Sequence, residues 1–265
     1  MHRSVSQVLQ AESCPKQYEL SRLALDDKGE RLWQRPAAWF PHGTAFHYAA
    51  EAWELSDRSM TIEAAQEIFA ERYERDVNLL TWATPNLAAW FGSGPYYPAE
   101  KDIPRRFHRG MEQVRWFIEY YQKHPHIRPW LTPQGSLAVE LPFSLRISGI
   151  KVIGKIDCVY YDSLNKLYII EDWKTGAKPG DWFQLKVYEM ALTVLGGLVA
   201  PNGRFFMARS GSPTTFYNLS RYSSSEVARR FVDLDERARR GEFPAMPDPQ
   251  KCRTCSVAWA CNERA

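Results

Sequence analysis

Long apolar runs are missing from this 265-residue chain. No stretch reaches the roughly 18 apolar residues that a membrane-spanning helix needs, so no membrane partner is expected. The first residues, MHRSVSQVLQAESCPKQYEL, lack the apolar centre of a secretory signal. That implies a cytoplasmic protein, where clustered cysteines bind metal more often than they form disulfides. Strong charge of one sign is absent too: 34 basic against 31 acidic side chains leave a formal +3, which permits a nucleic-acid partner without demanding one. There is no internal repeat or low-complexity segment, and 45% apolar with 25% charged residues is an ordinary globular composition. An ATP-binding loop is also lacking. Residues 149–156, GIKVIGKI, approach a phosphate loop but end on Ile156, where a Ser or Thr hydroxyl must hold magnesium; the Val/Ile alternation reads as a strand.

Cysteine is scarce, with five in all, yet three crowd into KCRTCSVAWAC at residues 251–261. Cys252, Cys255 and Cys261 form C-x2-C-x5-C, and thiolate sites for zinc or an iron–sulfur cluster usually take a fourth ligand. Cys158 sits in the strand-like GKIDCVYYD as a small core side chain. By elimination Cys14, in the polar stretch ESCPKQY, is the best fourth ligand, and the site would tie the two chain ends together. The plainer alternative is four unrelated reduced thiols.

Periodicity divides the chain into a helical portion over about 1–130, a mixed α/β portion over about 131–220, and a helix with the cysteines over about 221–265, all within one domain. Helices are expected at 4–24 with a break near Pro15, and at 43–55, 61–80 and 105–123. Residues 84–105 are too rich in Gly and Pro for regular structure, and the region 81–104 carries no recognisable motif of known role. Trp90, Phe91, Tyr96 and Tyr97 there read equally as base-stacking groups or as core anchors. Strands follow at 136–147, 151–162 and 166–174, the last two joined by the turn DSLNK, then a helix at 181–196, strands near 203–209 and 214–219, and a helix at 223–240.

The hairpin carries the chemistry. In IIEDWKTG the apolar run ends abruptly in charges, and Asp172 and Lys174, two apart, point to the same side of a strand. The turn brings Asp157 beside them. Two carboxylates and a lysine at the end of buried strands are costly unless a divalent cation such as Mg2+ or Mn2+ neutralises them. Such an ion activates water and offsets charge on a phosphoryl group, with the lysine positioning the water. The alternative is a merely solvated Asp–Lys pair. Gln184 and Tyr188, four apart, share a helix face able to reach the lysine or a nucleic-acid backbone. His47, in GTAFHYAAE, is either a core histidine or a ligand for Mn2+, with Glu51 one turn on.

In order, Gly43 and His47 (G-x3-H), GKID with Asp157, EDWKTG with Asp172 and Lys174, and Gln184 and Tyr188 (Q-x3-Y) resemble the PD-(D/E)xK nuclease superfamily in its RecB-like branch. The cysteine pattern is similar to that of CRISPR-associated iron–sulfur exonucleases and the AddB-type nuclease domain. The resemblance runs from residue 14 to 261. It implies an α/β, restriction-endonuclease-like fold: a mixed central sheet flanked by helices, with a terminus clipped by an iron–sulfur cluster. It implies that His47, Asp157, Asp172 and the Trp173 carbonyl bind the catalytic Mg2+ or Mn2+, that Lys174 is the catalytic lysine, and that Gln184 and Tyr188 stand behind it. Cys14, Cys252, Cys255 and Cys261 would hold a [4Fe–4S] cluster, zinc being the runner-up, and Glu140 in LAVELPF would assist. Trp173 departs from the usual Tyr between Asp and Lys, but only its carbonyl is required. The implied activity is a DNA exonuclease on single strands or ends in repair and recombination, prokaryotic or phage-encoded, with a helicase or CRISPR/recombination proteins as partners. The competing function is a DNA-binding adaptor subunit whose cleavage is gated by such partners.

Overall fold

A computed structural model describes residues 2–94 and 96–265. Two short helices open the chain, α1 (Val5–Ser13) and α2 (Pro15–Arg22), separated at Cys14. The break follows from Pro15, which cannot continue α1 but is well suited to the first position of α2. Then come α3 (Trp39–Leu55), α4 (Ile62–Ala83) and α5 (Ala99–Lys123). The sheet is built from β1 (Ile127–Pro129), β2 (Val139–Ile147), β3 (Ile150–Asp162) and β4 (Leu167–Lys174). After α6 (Trp182–Gly196) the chain adds β5 (Asn202–Met207), β6 (Ser212–Pro213) and β7 (Tyr217–Asn218), and it ends in α7 (Ser224–Arg240) and α8 (Pro249–Arg253).

The fold is mixed α/β, as expected. The strand order is β1-β3-β4-β5-β6, with β2 also on β3 and β7 also on β5. β4 and β5 run parallel, linked by α6; the other pairs are antiparallel. Successive strand residues face opposite sides, so Ile169 and Ile170 enter different cores. On one side Val8, Leu185, Val187 and Phe231 of α1, α6 and α7 pack on Ile156, Ile170 and Phe205. On the other, Phe46, Trp53, Phe69 and Phe117 of α3, α4 and α5 cover Cys158, Ile169, Trp173 and Phe206. Each such aromatic contributes about 1.5–3 kcal/mol when fully buried.

Several boundaries differ from expectation. α5 begins at Ala99, six residues early and with Pro104 inside it at the cost of one helical hydrogen bond, its first turns held by Asp102 binding Arg105 and Arg106 one turn on. α3 likewise starts at Trp39 rather than 43. β1 was not anticipated; three residues carry no periodicity, and only pairing with Tyr160–Asp162 makes them a strand. The expected strands at 203–209 and 214–219 shrink to β5 and the two-residue β7, and the two-residue β6 falls between them. In the loop before α5, Trp90 (2% exposed) and Phe91 (6%) are core anchors, whereas Tyr96 (81%) and Tyr97 (43%) reach solvent.

Candidate functional site

β3 and β4 pair from Asp162↔Leu167 beside the turn up to Cys158↔Glu171 and then diverge. At the point of divergence the Asp157 carboxylate replaces the ladder: its Oδ2 accepts the Trp173 N–H at 2.7 Å. On the other flank of β3, the β2 ladder skips Glu140 between Val139↔Cys158 and Leu141↔Ile156. Glu140 has φ +44°, a strained conformation for a side chain of this size, and strain of this kind is stored where surrounding structure holds it. Glu140, Asp157 and Asp172 thus lie in a row across three adjacent strands.

His47 of α3 reaches over this row. Small residues at Ala45, Ala49 and Ala50 let the helix approach the sheet closely. His47 Nε2 donates to the Trp173 carbonyl at 2.9 Å, and Nδ1 lies 3.3 Å from Glu140 Oε1 and 3.6 Å from Asp157 Oδ2. Ligand atoms of His47, Glu140 and Asp157 fall within 4.8 Å of one another, the one such group of three or more among the described residues. Asp172 is not in it. Its Oδ2 sits 2.6 Å from Lys174 Nζ and its Oδ1 accepts from Tyr188 at 3.4 Å. The sequence underrated Glu140 because its place depends on a backbone kink that no local pattern announces.

Lys174 is held from the other side by α6. Asp181 caps that helix by accepting the Phe183 N–H, and Gln184 and Tyr188 follow on one face. Lys174 Nζ donates to Gln184 Oε1 at 3.0 Å, and Gln184 Nε2 donates to the Tyr188 hydroxyl at 2.8 Å. The result is a closed relay Lys174–Gln184–Tyr188–Asp172. Gly180 is needed here, since a Cβ would lie 2.5 Å from the Phe205 ring and 3.0 Å from Lys174 Cε.

Electrostatics follow from three carboxylates in one half-buried row. Burial, then the charge of Asp172, raises Asp157 to about 8. Burial pulls His47 down, but Asp157, Glu140 and Asp172 outweigh it and raise the imidazole to about 9. Glu51, one turn along α3, is raised by burial and by Glu140. Two carboxylates, a carbonyl oxygen and an imidazole make a donor set that fits Mg2+ or Mn2+.

At the chain ends, Cys14, Cys252, Cys255 and Cys261 line one pocket together with Leu20 and Met246. Cys158 is buried in the sheet, away from them. Burial raises the Cys255 thiol, and its three neighbouring cysteines raise it further.

The model of the PD-(D/E)XK nuclease superfamily matches residues 2–262. The chain is 40% identical to the Gene 69 protein of Mycobacterium phage L5, over 98% of this chain and 95% of that protein. It is 38% identical to the Gene 69 protein of Mycobacterium phage D29, over 98% and 96%. Among solved structures it is similar to SSO0001 at 12% identity and a TM-score of 0.36, covering 72% of this chain and 81% of that one. A family match over nearly the whole length, falling on the strands that carry the acidic row, means that the chain belongs to the PD-(D/E)XK nuclease superfamily of metal-dependent nucleases.

Proposed function

We propose that this protein is an Mg2+- or Mn2+-dependent deoxyribonuclease that removes nucleotides from single strands or DNA ends. The observation that carries the reading is the meeting of His47, Glu140, Asp157 and the Trp173 carbonyl beside a lysine locked between Asp172 and Gln184. A divalent ion held by the first four, with Asp172 adjacent, would supply a polarised water and charge neutralisation at the scissile phosphate. Lys174 orients the attacking water and offsets negative charge on the phosphoryl oxygens. Gln184 and Tyr188 keep its ammonium aimed into the site. The water oxygen bonds to phosphorus while the bond to one deoxyribose oxygen breaks, leaving a phosphate and a hydroxyl end. The groove along His47 bears exposed Phe40 and Tyr48 rings, which suit stacking by unpaired bases.

The four terminal cysteines are assigned a [4Fe–4S] cluster. No three of their sulfurs lie within 4.8 Å of one another among the described residues. Four thiolates also suit zinc, and the cluster is preferred on the similarity of the cysteine spacing to that of iron–sulfur nucleases. Both relatives are phage proteins; on the nuclease reading the protein would process phage DNA, with unwinding by a separate helicase or recombination protein.

End-blocked, labelled oligonucleotides incubated with the purified protein test the activity. Stepwise shortening from a free end in Mg2+ or Mn2+, and none in EDTA, is expected. Full cleavage in EDTA overturns the metal mechanism, and cleavage of circular DNA alone overturns the exonuclease assignment.

A further inference from the structure

Four arginines gather beside the candidate site, with Arg106 lying over the Trp39 ring at 5.5 Å on the same helix as His47. Arg105, Arg106 and Arg109 lie on one side of α5, and Arg209 follows β5 in a turn that packs on the same helix, where a Cβ on Gly211 would meet Trp116 at 2.9 Å. This turn is anchored to the active strand: the Ala208 N–H donates to the Lys174 carbonyl at 2.8 Å. Farther along α5, Gln113 Nε2 donates to the Thr175 carbonyl at 3.4 Å. The basic stripe therefore ends at Lys174 and Thr175. One carboxylate, Asp102, serves Arg105 and Arg106. The side chains of Arg109 and Arg209 make neither an ion pair nor a hydrogen bond among the described residues. Burial and then the charges of Arg105, Arg209 and Arg106 hold the Arg109 guanidinium below its ordinary range, a repulsion that a polyanion relieves.

We infer that Arg109 and Arg209, with Arg105 beside them, bind the phosphodiester backbone of the DNA strand leading into the Lys174 site. The inference rests on the nuclease reading for its ligand but concerns binding alone. Guanidiniums suit phosphate because their fork of donors matches its oxygens. Tyr97, under Arg105 at 4.4 Å, continues the surface with a face for a base.

The test uses full-length Lys174→Ala protein, so that DNA survives, and reads anisotropy of a fluorescent single strand across about 50 to 200 mM salt. Each neutralised phosphate contact contributes about 0.7 to the slope of log K against log salt on a single strand. Arg209→Gln and Arg109→Gln should each flatten the slope by about that amount, and together weaken binding about tenfold at the lowest salt. Arg239→Gln, on the exposed face of α7, should leave the slope in place. Arg209 is exposed, so its variant reports even where Arg109→Gln fails to fold. An unchanged slope for Arg209→Gln, equal flattening by Arg239→Gln, or a parent that does not bind DNA overturns the inference. A wild type that binds with these slopes but never cleaves DNA in Mn2+ removes the nuclease reading and leaves the binding surface standing.

Discussion

His42 and His47 share α3 and titrate in opposite directions. His47 sits among carboxylates and rises to about 9, whereas His42, buried without one, falls to about 4. Burial is the main cause; Arg106 and Arg109 add to it, against the Gln113 bond and the charge of Asp102. Neutral His42 donates from Nε2 to Gln113 Oε1 at 2.7 Å and accepts at Nδ1 from Arg106 at 3.3 Å. Its folded value lies below the unfolded 6.5, so as pH falls the unfolded chain takes the proton first. Stability from this group is complete above 6.5 and is lost as pH drops toward about 4. The whole loss is on the order of 3 kcal/mol. Melting curves over that range should show wild type losing more stability than His42→Gln; parallel losses would sink the assignment. At the acidic row, Asp172→Ala and Lys174→Ala should each abolish cleavage while the fold and most DNA binding persist, because affinity comes from many backbone contacts. Wild-type cleavage by Lys174→Ala in a nuclease assay would mean that the hairpin is not the active site.

β4 is the element on which both faces depend. One face offers Asp172 and Lys174 to the site; the other places Glu171 in a buried network behind it. Glu171 accepts from Arg204 Nε at 2.6 Å, from Trp173 Nε1 at 3.2 Å and from the Tyr121 hydroxyl, and it is wholly shielded from water. The network ties α5, β4 and β5 together and fixes the indole of Trp173, whose backbone carbonyl meets His47. Removing one partner strands a charge: Glu171→Ala leaves the Arg204 guanidinium buried and unpaired, a loss of about 3–5 kcal/mol. Urea denaturation should show that fall, and adding Arg204→Met should recover part of it. A drop below about 1 kcal/mol would show that water enters and solvates Arg204.

At the scale of the whole molecule the chain ends are stapled to each other. Ser13 and Lys251 meet through a backbone carbonyl at 3.3 Å, Arg35 N–H donates to the Ser256 carbonyl at 2.9 Å, and Trp259 Nε1 donates to the Trp33 carbonyl at 2.9 Å. These contacts are exposed and individually weak, so the four cysteines are expected to carry the closure. Anaerobically purified protein should absorb broadly in the visible and contain about four irons per chain, the count of the assigned [4Fe–4S] cluster. Cys14→Ala should bleach it and lower the melting temperature before activity is lost, while Cys158→Ala keeps its colour. One zinc and no iron by elemental analysis would replace the cluster with a zinc site.

The sequence by itself determined everything that rests on short spacing. A period of two puts Asp172 and Lys174 on one side of β4, a tight turn sets Asp157 across from them, and a spacing of four aligns Gln184 with Tyr188. The three tail cysteines were legible for the same reason. Only the tertiary structure decided what depends on packing between distant segments. Glu140 joins His47 and Asp157 because its backbone kinks to φ +44°, and Asp172 turns to Lys174 because α6 presents Gln184 and Tyr188 there. Trp90 and Phe91 read equally as base-stacking groups or core anchors in sequence, and packing decides for the core. Arg109 and Arg209 lie a hundred positions apart, and only the docking of the β5 turn on α5 makes them neighbours. Local periodicity is a property of the backbone, but which faces meet is chosen by the burial of apolar surface over the whole chain.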